Sequence, residues 1–218
     1  MKAPQPACGR PARIVLEGQY VRLEPLRPEH AADLFAVSSD ADAAERYRYL
    51  FEAAPADTAE MDAWVARAMQ ADDPLHFAVV DRVTGRAMGR QALMRIVPEH
   101  GVIELGSIYW GPPMARTRRA TEALYLSARY IFDELGYRRF EWKCNDKNLP
   151  SRRAAERFGF TYEGTFRQHM IQKGENRDTA WFAMLDGDWP EIRAEYERWL
   201  APENFDADGQ QKTPLALR

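Results

Sequence analysis

The alternation of apolar and polar positions predicts strands and helices that follow one another in short, well-separated segments. Two short strands flank Glu17, and a helix begins at Pro28. Apolar residues at helical spacing predict a second helix over Thr58–Gln70. A hairpin then turns at Thr84 and Gly85, so the first hundred residues combine helices with antiparallel strands.

The most regular part of the pattern runs from Val102 to Phe160. It contains, in order, the strand VIELGSIYW, the long helix ATEALYLSARYIFDEL, the strand RFEWKC and the segment NLPSRRAAERFGF. A helix of this length is a crossover connection, so the two strands should be parallel. A hairpin near Gly174–Asn176 and a last helix, WPEIRAEYERWL, follow. The predicted class is α/β, of the kind that holds a phosphate-bearing cofactor beside such a run.

Length and composition predict one folded domain with two tails. The chain has 218 residues, of which 45% are apolar and 29% are charged, a composition typical of a compact protein. Turn formers and weak periodicity mark residues 1–13 and 201–218 as flexible tails. Residues 14–200 are therefore expected to form a single domain.

Charge and cysteine content narrow the partners and the compartment. The net charge of −3 offers no global attraction for nucleic acid or an anionic membrane. Cys8 and Cys144 are too few for a disulfide framework, which favours a reducing compartment. No apolar run is long enough for a signal peptide or a membrane span, so we expect a cytoplasmic protein.

Short motifs punctuate the regular part of the chain. They are Ala120-Thr121-Glu122-Ala123 at the start of the long helix, Leu135-Gly136-Tyr137 at its end, Asn148-Leu149-Pro150-Ser151 in the next segment, and Gly159-Phe160 followed by Glu163-Gly164. In this order and spacing they resemble the GCN5-related N-acetyltransferase (GNAT) superfamily, and within it the RimJ/RimL-like branch that contains ribosomal-protein N-terminal acetyltransferases. The resemblance covers about Gly18 to Leu200.

The resemblance implies an N-acetyltransferase that moves an acetyl group from acetyl-CoA to a primary amine, of a small molecule or a protein N-terminus, without an acyl-enzyme. It implies the GNAT fold: a mixed, mostly antiparallel sheet of about seven strands, with a splayed central parallel pair and helices on both faces. Splayed strands leave backbone groups unpaired, and the amide-rich pantetheine arm can satisfy them. We expect these contacts at Ile108, Tyr109 and Trp110.

The start of the long helix is the expected pyrophosphate site, because helix N-termini offer free amides and a partial positive charge. The predicted cofactor-binding residues there are Arg116, Thr117, Arg118, Arg119, Ala120 and Thr121. A solvated polar face is the structural alternative for the arginines. Relatives carry a Gln/Arg-x-x-Gly-x-Gly/Ala loop. Arg118 replaces the glycine if Ala120 is the last position, and Arg119 replaces it if Thr121 is.

Asn148 and Ser151 form a second candidate group. Asn148 is a good helix N-cap, and Ser151 can support the same cap, so a structural role is one interpretation. The resemblance implies that Asn148 contacts the pantetheine arm and that a Ser or Tyr of this helix lies near the thioester sulfur. The Tyr that many relatives carry is here Ala155. Ser151 is therefore the candidate that stabilises the departing thiolate by a hydrogen bond.

Glu104 is the candidate general base, since only a free amine can attack the thioester carbonyl. Strand alternation predicts that it shares one face with Gly106, Ile108 and Trp110, an otherwise apolar set. A carboxylate in such a setting must be paired or used, and it would act directly or through water. The alternative is a cross-strand ion pair with an arginine such as Arg90 or Arg95.

Other residues carry weaker hypotheses. Cys144 is expected in the core rather than as a nucleophile, and His169 is a candidate for lining the acceptor site. The four histidines lack metal-ligand spacing, so no metal is expected. The run of Arg46, Tyr47, Arg48, Tyr49 and Phe51 is either a mobile acceptor lid or ordinary loop packing.

Three hypotheses on function remain. The first is the N-acetyltransferase, the second a non-catalytic acyl-CoA-binding sensor or interaction module, and the third a nucleic-acid-associated protein that uses the arginine-rich turn. Loss of Glu104 or Ser151 would favour the second, and both are present. A strongly basic balance would favour the third, and it is absent. The first is preferred, with the acceptor unassigned and a homodimer left open.

Overall fold

The computed structural model describes residues 6, 7 and 9–217 of the chain. Cys8 lies outside the described residues. The strands are β1 Leu16–Glu17, β2 Val21–Pro25, β3 Leu75–Asp81, β4 Ala87–Val97, β5 Val102–Trp110, β6 Arg139–Asn145, β7 Thr161–Gln172 and β8 Glu175–Leu185. The α-helices are α1 Ala31–Ser38, α2 Ala43–Tyr47, α3 Thr58–Ala68, α4 Arg118–Arg129, α5 Leu149–Arg157 and α6 Trp189–Leu200.

The strands form one mixed sheet in the order β1-β2-β3-β4-β5-β6-β8-β7. β5 and β6 are parallel, and every other neighbouring pair is antiparallel. This confirms the predicted fold class and the parallel crossover through α4. The sheet has eight strands where about seven were expected, because the short β1 joins its edge.

Helices cover both faces of the sheet, because the strands present apolar side chains on each side. In β3, Phe77 and Val79 belong to the large core that contains α4 and α6. Ala78 and Val80 point the other way and pack with α1 and α3. Alternate residues of a strand face opposite sides, so a fully buried strand is apolar throughout. The site described below uses the α1 and α3 face, called the upper face here.

Helix α4 is held against the sheet edge by the glutamate of its ATEA motif. The buried carboxylate of Glu122 accepts hydrogen bonds from the backbone N–H groups of Gln19, Tyr20 and Val21, at 2.6–2.7 Å. A Cβ on Gly18 would lie 2.6 Å from that carboxylate, so the turn requires a glycine. The motif residue Glu122 therefore has a structural role, because it attaches the first turns of α4 to the backbone that enters β2.

The far end of α4 confirms the predicted glycine cap. The helix continues as a π-helical turn over Tyr130–Glu134 before it ends. Gly136 follows with φ of 66°, a left-handed conformation in which a glycine avoids the strain that a Cβ brings. Arg138 and Arg139 then donate their backbone N–H groups to Gly101, which brings β6 beside the start of β5.

The chain after α6 lies against the domain. Phe205 is buried and packs on Trp199, with ring centroids 5.1 Å apart, while Leu215 and Leu217 contact the main core. The proposed domain limits of 14 and 200 stay a prediction. Within the described residues no helix is long and apolar enough to cross a bilayer. The same residues contain no group of three or more His, Cys, Asp or Glu side chains arranged to hold a metal ion.

Candidate active site

The parallel strands β5 and β6 separate part-way along their length. They pair from Val102 with Arg139 to Leu105 with Trp142 and not beyond. A cavity of about 490 Å³ lies where they part. Its walls include Glu104, Ile108, Trp110, Asn148 and Ser151, so five of the residues selected from the sequence meet in one space.

A bulge in β5 changes which residues face this cavity. Ala92 of β4 pairs with Gly106, but Arg90 pairs with Tyr109, so β5 carries one extra residue between these pairs. Ser107 within the bulge has φ of 49°. The predicted alternation is therefore wrong beyond Gly106, because a bulge reverses the faces that follow it.

Side-chain contacts show the reversal. Trp110 donates from Nε1 to Gln91 Oε1, at 3.0 Å, on the α4 face of the sheet. Tyr109 instead lies on the upper face with Glu104, where its hydroxyl donates to Val37 O at 2.8 Å. Tyr109 is fully packed there and does not line the cavity.

Glu104 is buried in a network of charges on the upper face. Its Oε2 lies 2.9 Å from Lys143 Nζ and 3.1 Å from Arg95 Nε. Lys143 also lies 2.6 Å from Glu141 Oε2, so one ammonium group bridges two carboxylates on neighbouring strands. The ion pair with Arg95 is thus present, whereas Arg90 is engaged elsewhere.

Burial and ion pairing act on Glu104 in opposite directions. Burial raises the pKa of its carboxyl group above the ordinary value, and Lys143 and then Arg95 partly offset that rise. A raised pKa makes the carboxylate a stronger base than an exposed one. The ion pairs do not block such a role, since the side chain also borders the cavity.

Helix α5 carries Ser151 and Asn148 to the opposite wall. Asn148 Oδ1 accepts from the backbone N–H of Ser151, at 3.2 Å, so the predicted N-cap is confirmed. Ser151 Oγ accepts a hydrogen bond from Trp142 Nε1 at 3.0 Å, which fixes the hydroxyl at the cavity wall. Cys144 is buried beside them, and burial raises the pKa of its thiol. A raised thiol pKa disfavours the nucleophilic thiolate.

Similarity to known proteins identifies the family. Residues 21–161 match the family model described as an acetyltransferase (GNAT) domain. The chain belongs to the GNAT acetyltransferase family.

The GNAT assignment agrees with solved structures and curated relatives. A GCN5-related N-acetyltransferase from Brucella melitensis is 58% identical, with a TM-score of 0.94 over 96% of this chain and 95% of that one. A probable acetyltransferase of the GNAT family from Chromobacterium violaceum is 36% identical, with a TM-score of 0.80 over 87% and 95% of the two chains. The Bacillus subtilis protein YnaD, described as an uncharacterized N-acetyltransferase, is 26% identical over 54% of this chain and 68% of its own. The protein is thus an N-acetyltransferase by family.

The N-terminus of helix α4 lies outside the cavity, at the surface. Thr117 is its N-cap residue but places no side-chain hydrogen bond on the first amides. Arg119 forms an ion pair with the buried Asp81, whereas the Arg118 guanidinium stacks on Tyr20 at 4.2 Å. Arg116 is exposed, with φ of 59°.

The last two residues of the predicted anion site point inward. Ala120 and Thr121 are buried, and Thr121 Oγ1 accepts a hydrogen bond from Arg157 of α5 at 3.1 Å. Thr121 therefore packs between α4 and α5, and Ala120 belongs to the main core. Any contact with a phosphate would have to come from their backbone N–H groups.

The outer wall of the cavity is formed by Arg46 of α2 and by Tyr49 and Phe51 of the segment that follows it. Tyr47 of α2 is buried and packs on Tyr109, with ring centroids 4.7 Å apart. Tyr47 is therefore packed, whereas Phe51 is exposed. Whether the run from Arg46 to Phe51 moves as a lid stays a prediction.

Sequence reasoning missed two basic residues of this GNAT site, Lys143 and Arg177. Lys143 alternates with Trp142 along β6, and that alternation was the available signal that it faces the side of Glu104. Arg177 lies on β8 and lines the cavity beyond the end of β6. No local pattern in RDTAWFAMLD distinguishes it from a solvated arginine. His169 lines the cavity, as expected.

Proposed function

We propose that this cytoplasmic protein transfers the acetyl group of acetyl-CoA to a primary amine, of a small molecule or a protein N-terminus, by direct attack. The amine nitrogen bonds to the thioester carbonyl carbon, the carbon–sulfur bond breaks, and the leaving thiolate takes up a proton. The motifs around α4 and α5 support the finer assignment to the RimJ/RimL-like branch.

The divergence of β5 and β6 is the observation that carries the proposal. Beyond Leu105 and Trp142 the two strands no longer pair with each other, and the cavity lies between them. The backbone there has N–H and C=O groups free to bind an extended amide chain, as an added strand does. Pantetheine is such a chain, and the main chain around Ile108–Trp110 is where we expect it.

The surface end of this cleft favours a pyrophosphate. The first turn of α4 presents backbone amides without a side-chain cap, and a helix N-terminus attracts anions. Because Asp81 neutralises Arg119, the charge available to a phosphate comes from Arg116 and Arg118. Arg118 thereby becomes the preferred substitute for the glycine of the family loop.

The inner end of the cleft supports the acid–base assignments. Glu104 takes the proton from the attacking ammonium, directly or through water, and its raised pKa suits that task. Ser151 lies on the opposite wall and stabilises the thiolate by hydrogen bonding. A backbone N–H of β5 polarises the thioester carbonyl.

A distant fold relative agrees with the donor. The microcin C7 self-immunity acetyltransferase MccE was solved with acetyl-CoA and AMP, and it shares this fold with a TM-score of 0.67 at 18% identity. Similarity at this level supports the fold alone. The proposed donor therefore rests on the cleft and on the GNAT assignment.

Thiol release from acetyl-CoA tests the proposal. The protein is assayed against amino acids, polyamines, aminoglycosides and peptides with free N-termini, and acetylated products are confirmed by mass. We expect turnover with at least one class of amine. If no acceptor gives turnover while coenzyme A still raises the melting temperature, the protein binds acyl-CoA without catalysis and the proposed reaction is wrong.

A further inference from the structure

A buried guanidinium without a carboxylate partner lines the cavity. Arg177 is 7% exposed, and no described Asp or Glu oxygen lies within 4.0 Å of its nitrogens. Its Nε donates to Thr179 Oγ1 at 3.2 Å, and its Nη1 makes a long contact with Gln172 Oε1 at 3.4 Å. The guanidinium also lies over the ring of Phe51, 5.3 Å from its centroid. A buried charge held only by neutral groups is costly, so this one calls for an anion.

Arg90 of β4, on the same face of the sheet, is a buried arginine whose charge is neutralised by a carboxylate. Arg90 is 2% exposed and forms an ion pair with Glu52. It also donates to Ser107 O at 2.8 Å and stacks on Trp64 at 4.0 Å. Two buried arginines thus share one face, and Arg177 is the one whose counter-ion is missing among the described residues.

The other cations on the cavity wall are already neutralised. Arg95 and Lys143 pair with Glu104, and Arg46 lies 3.4 Å from Asp40. Arg177 shares the face of Glu104, because Lys143 lies opposite Trp181 and Arg177 is four residues before Trp181 on the same strand. The upper face of the cavity therefore carries both the proposed base, Glu104, and a cation without a carboxylate partner, Arg177.

We propose that the acceptor is a small amine that also carries an anionic group, such as a carboxylate, and that Arg177 binds this group. The inference rests on the proposed acetyl transfer and names its acceptor class. The two charges of a zwitterionic acceptor are complementary to the two groups: its ammonium approaches Glu104 while its anion approaches Arg177. Cationic acceptors such as polyamines are disfavoured, since they would add positive charge beside an unpaired guanidinium.

His169 supplies a second donor for the same anion. Its Nδ1 lies 3.0 Å from Thr179 Oγ1, the same oxygen that accepts from Arg177. The Thr179 hydroxyl can accept from Arg177 and donate its one proton to Nδ1, and in that arrangement a neutral His169 carries its ring proton on Nε2. Burial, with the nearby cations, lowers the pKa of His169 and favours this neutral form.

Matched acceptors test the proposal. Each amino acid is compared with its carboxamide, and phosphoethanolamine with ethanolamine, by kcat/KM in the thiol-release assay. A charge-assisted contact of this kind predicts that the anionic member is preferred about ten- to a hundredfold. The amide has the more acidic ammonium and hence more free amine, so this chemistry works against the expected preference. Either anion, carboxylate or phosphate, supports the proposal when it is preferred.

Variants of Arg177 test whether this residue causes the preference for the anionic acceptor. Arg177→Gln should reduce the ratio of acid to amide to about one while activity on the amide and the KM for acetyl-CoA stay close to wild type. Arg177→Lys keeps the charge without the planar fork and should restore part of the ratio. Arg167→Gln removes an exposed arginine from the adjacent strand β7 and should leave the ratio unchanged.

Two outcomes would overturn the assignment. The first is equal use of acid and amide by the wild-type protein, or of peptides whatever their charge. The second is an Arg177→Gln protein that loses activity on both acceptors equally, which would indicate a structural arginine. Absence of turnover with every amine is a different result, because it removes the proposed acetyl transfer itself.

Discussion

Replacement of Glu104 by Gln removes the proposed base with little change in shape. The amide occupies nearly the same volume beside Lys143, and Lys143 keeps Glu141 at 2.6 Å. A positioned general base contributes about 10²- to 10⁴-fold, so kcat/KM for the amine should fall by about 100-fold or more at neutral pH. The KM for acetyl-CoA should change little, because Glu104 lies on the upper face of the cleft, where we propose that the acceptor binds.

The effect on stability should be small, and its sign follows from the pKa of Glu104. The folded-state pKa is raised by burial, so its stabilising contribution is present below the unfolded pKa and lost as pH rises through the folded value. Where the carboxyl group is ionised it therefore costs stability, and the Gln variant avoids that cost. The Gln variant loses the ion pair with the partly exposed Arg95. This loss should lower the free energy of unfolding by about 1 kcal/mol or less, which lowers Tm by about 2–4 °C at most.

The assay measures kcat/KM from about pH 4 to 9, a range that begins near the ordinary pKa of a glutamate, together with Tm. In the wild type, log kcat/KM should rise with pH through the raised pKa of Glu104, and in Glu104→Gln that inflection should disappear. Glu163→Gln is the matched control, because Glu163 pairs with Arg139 in the same charge network but is exposed and outside the cavity. A loss below about threefold, or an unchanged pH profile, would refute Glu104 as the base.

Three further changes test the rest of the site. Ser151→Ala should lower kcat about tenfold by removing one hydrogen bond to the thiolate, while the KM for acetyl-CoA stays near wild type. Arg118→Ala should raise that KM by about three- to tenfold, and Arg119→Ala should raise it less, because its charge is already paired. Arg90→Met should lower the free energy of unfolding by about 1–3 kcal/mol in urea titrations, because it leaves the Ser107 oxygens and the half-buried Glu52 without their donor.

The pattern of apolar positions predicted the elements because each depends on nearby residues. The helix α4 ends near Gly136 as expected, since a left-handed residue is required there. The parallel pairing of β5 and β6 followed from the length of the connection between them. These local rules were enough to predict the cleft between β5 and β6 before any side-chain contact was known.

The faces of β5 were mispredicted because one residue breaks the rule of alternation. Ser107 adopts a left-handed conformation that neither its residue type nor its neighbours require. Because of the bulge, Tyr109 lies on the face of Glu104, where the alternation predicted Trp110. Pattern reasoning assumes a constant period, and the available signal was Gly106, since a glycine inside a strand often marks a bulge.

Long-range pairing set a second limit. That Lys143 joins Glu104 to Glu141 depends on the register of two parallel strands, which the sequence does not specify. The isolation of Arg177 is harder still to foresee. It is a property of all its neighbours together, and it can be recognised only when every nearby carboxylate has been placed.

The bulge also couples the outer wall of the cavity to the strand that carries the proposed base. Ser107 directs its carbonyl oxygen and hydroxyl toward Arg90, at 2.8 and 2.6 Å. Arg90 in turn pairs with Glu52, in the middle of the segment that follows α2.

Beside them, His76 Nε2 lies 3.2 Å from the same hydroxyl, and burial followed by Arg90 lowers the pKa of His76 to about 4. His76 is therefore neutral at physiological pH and adds no competing charge. A shift of the outer segment that displaced Glu52 would leave Arg90 buried without a carboxylate. The ion pair of Glu52 with Arg90 thus opposes movement of this wall at one point.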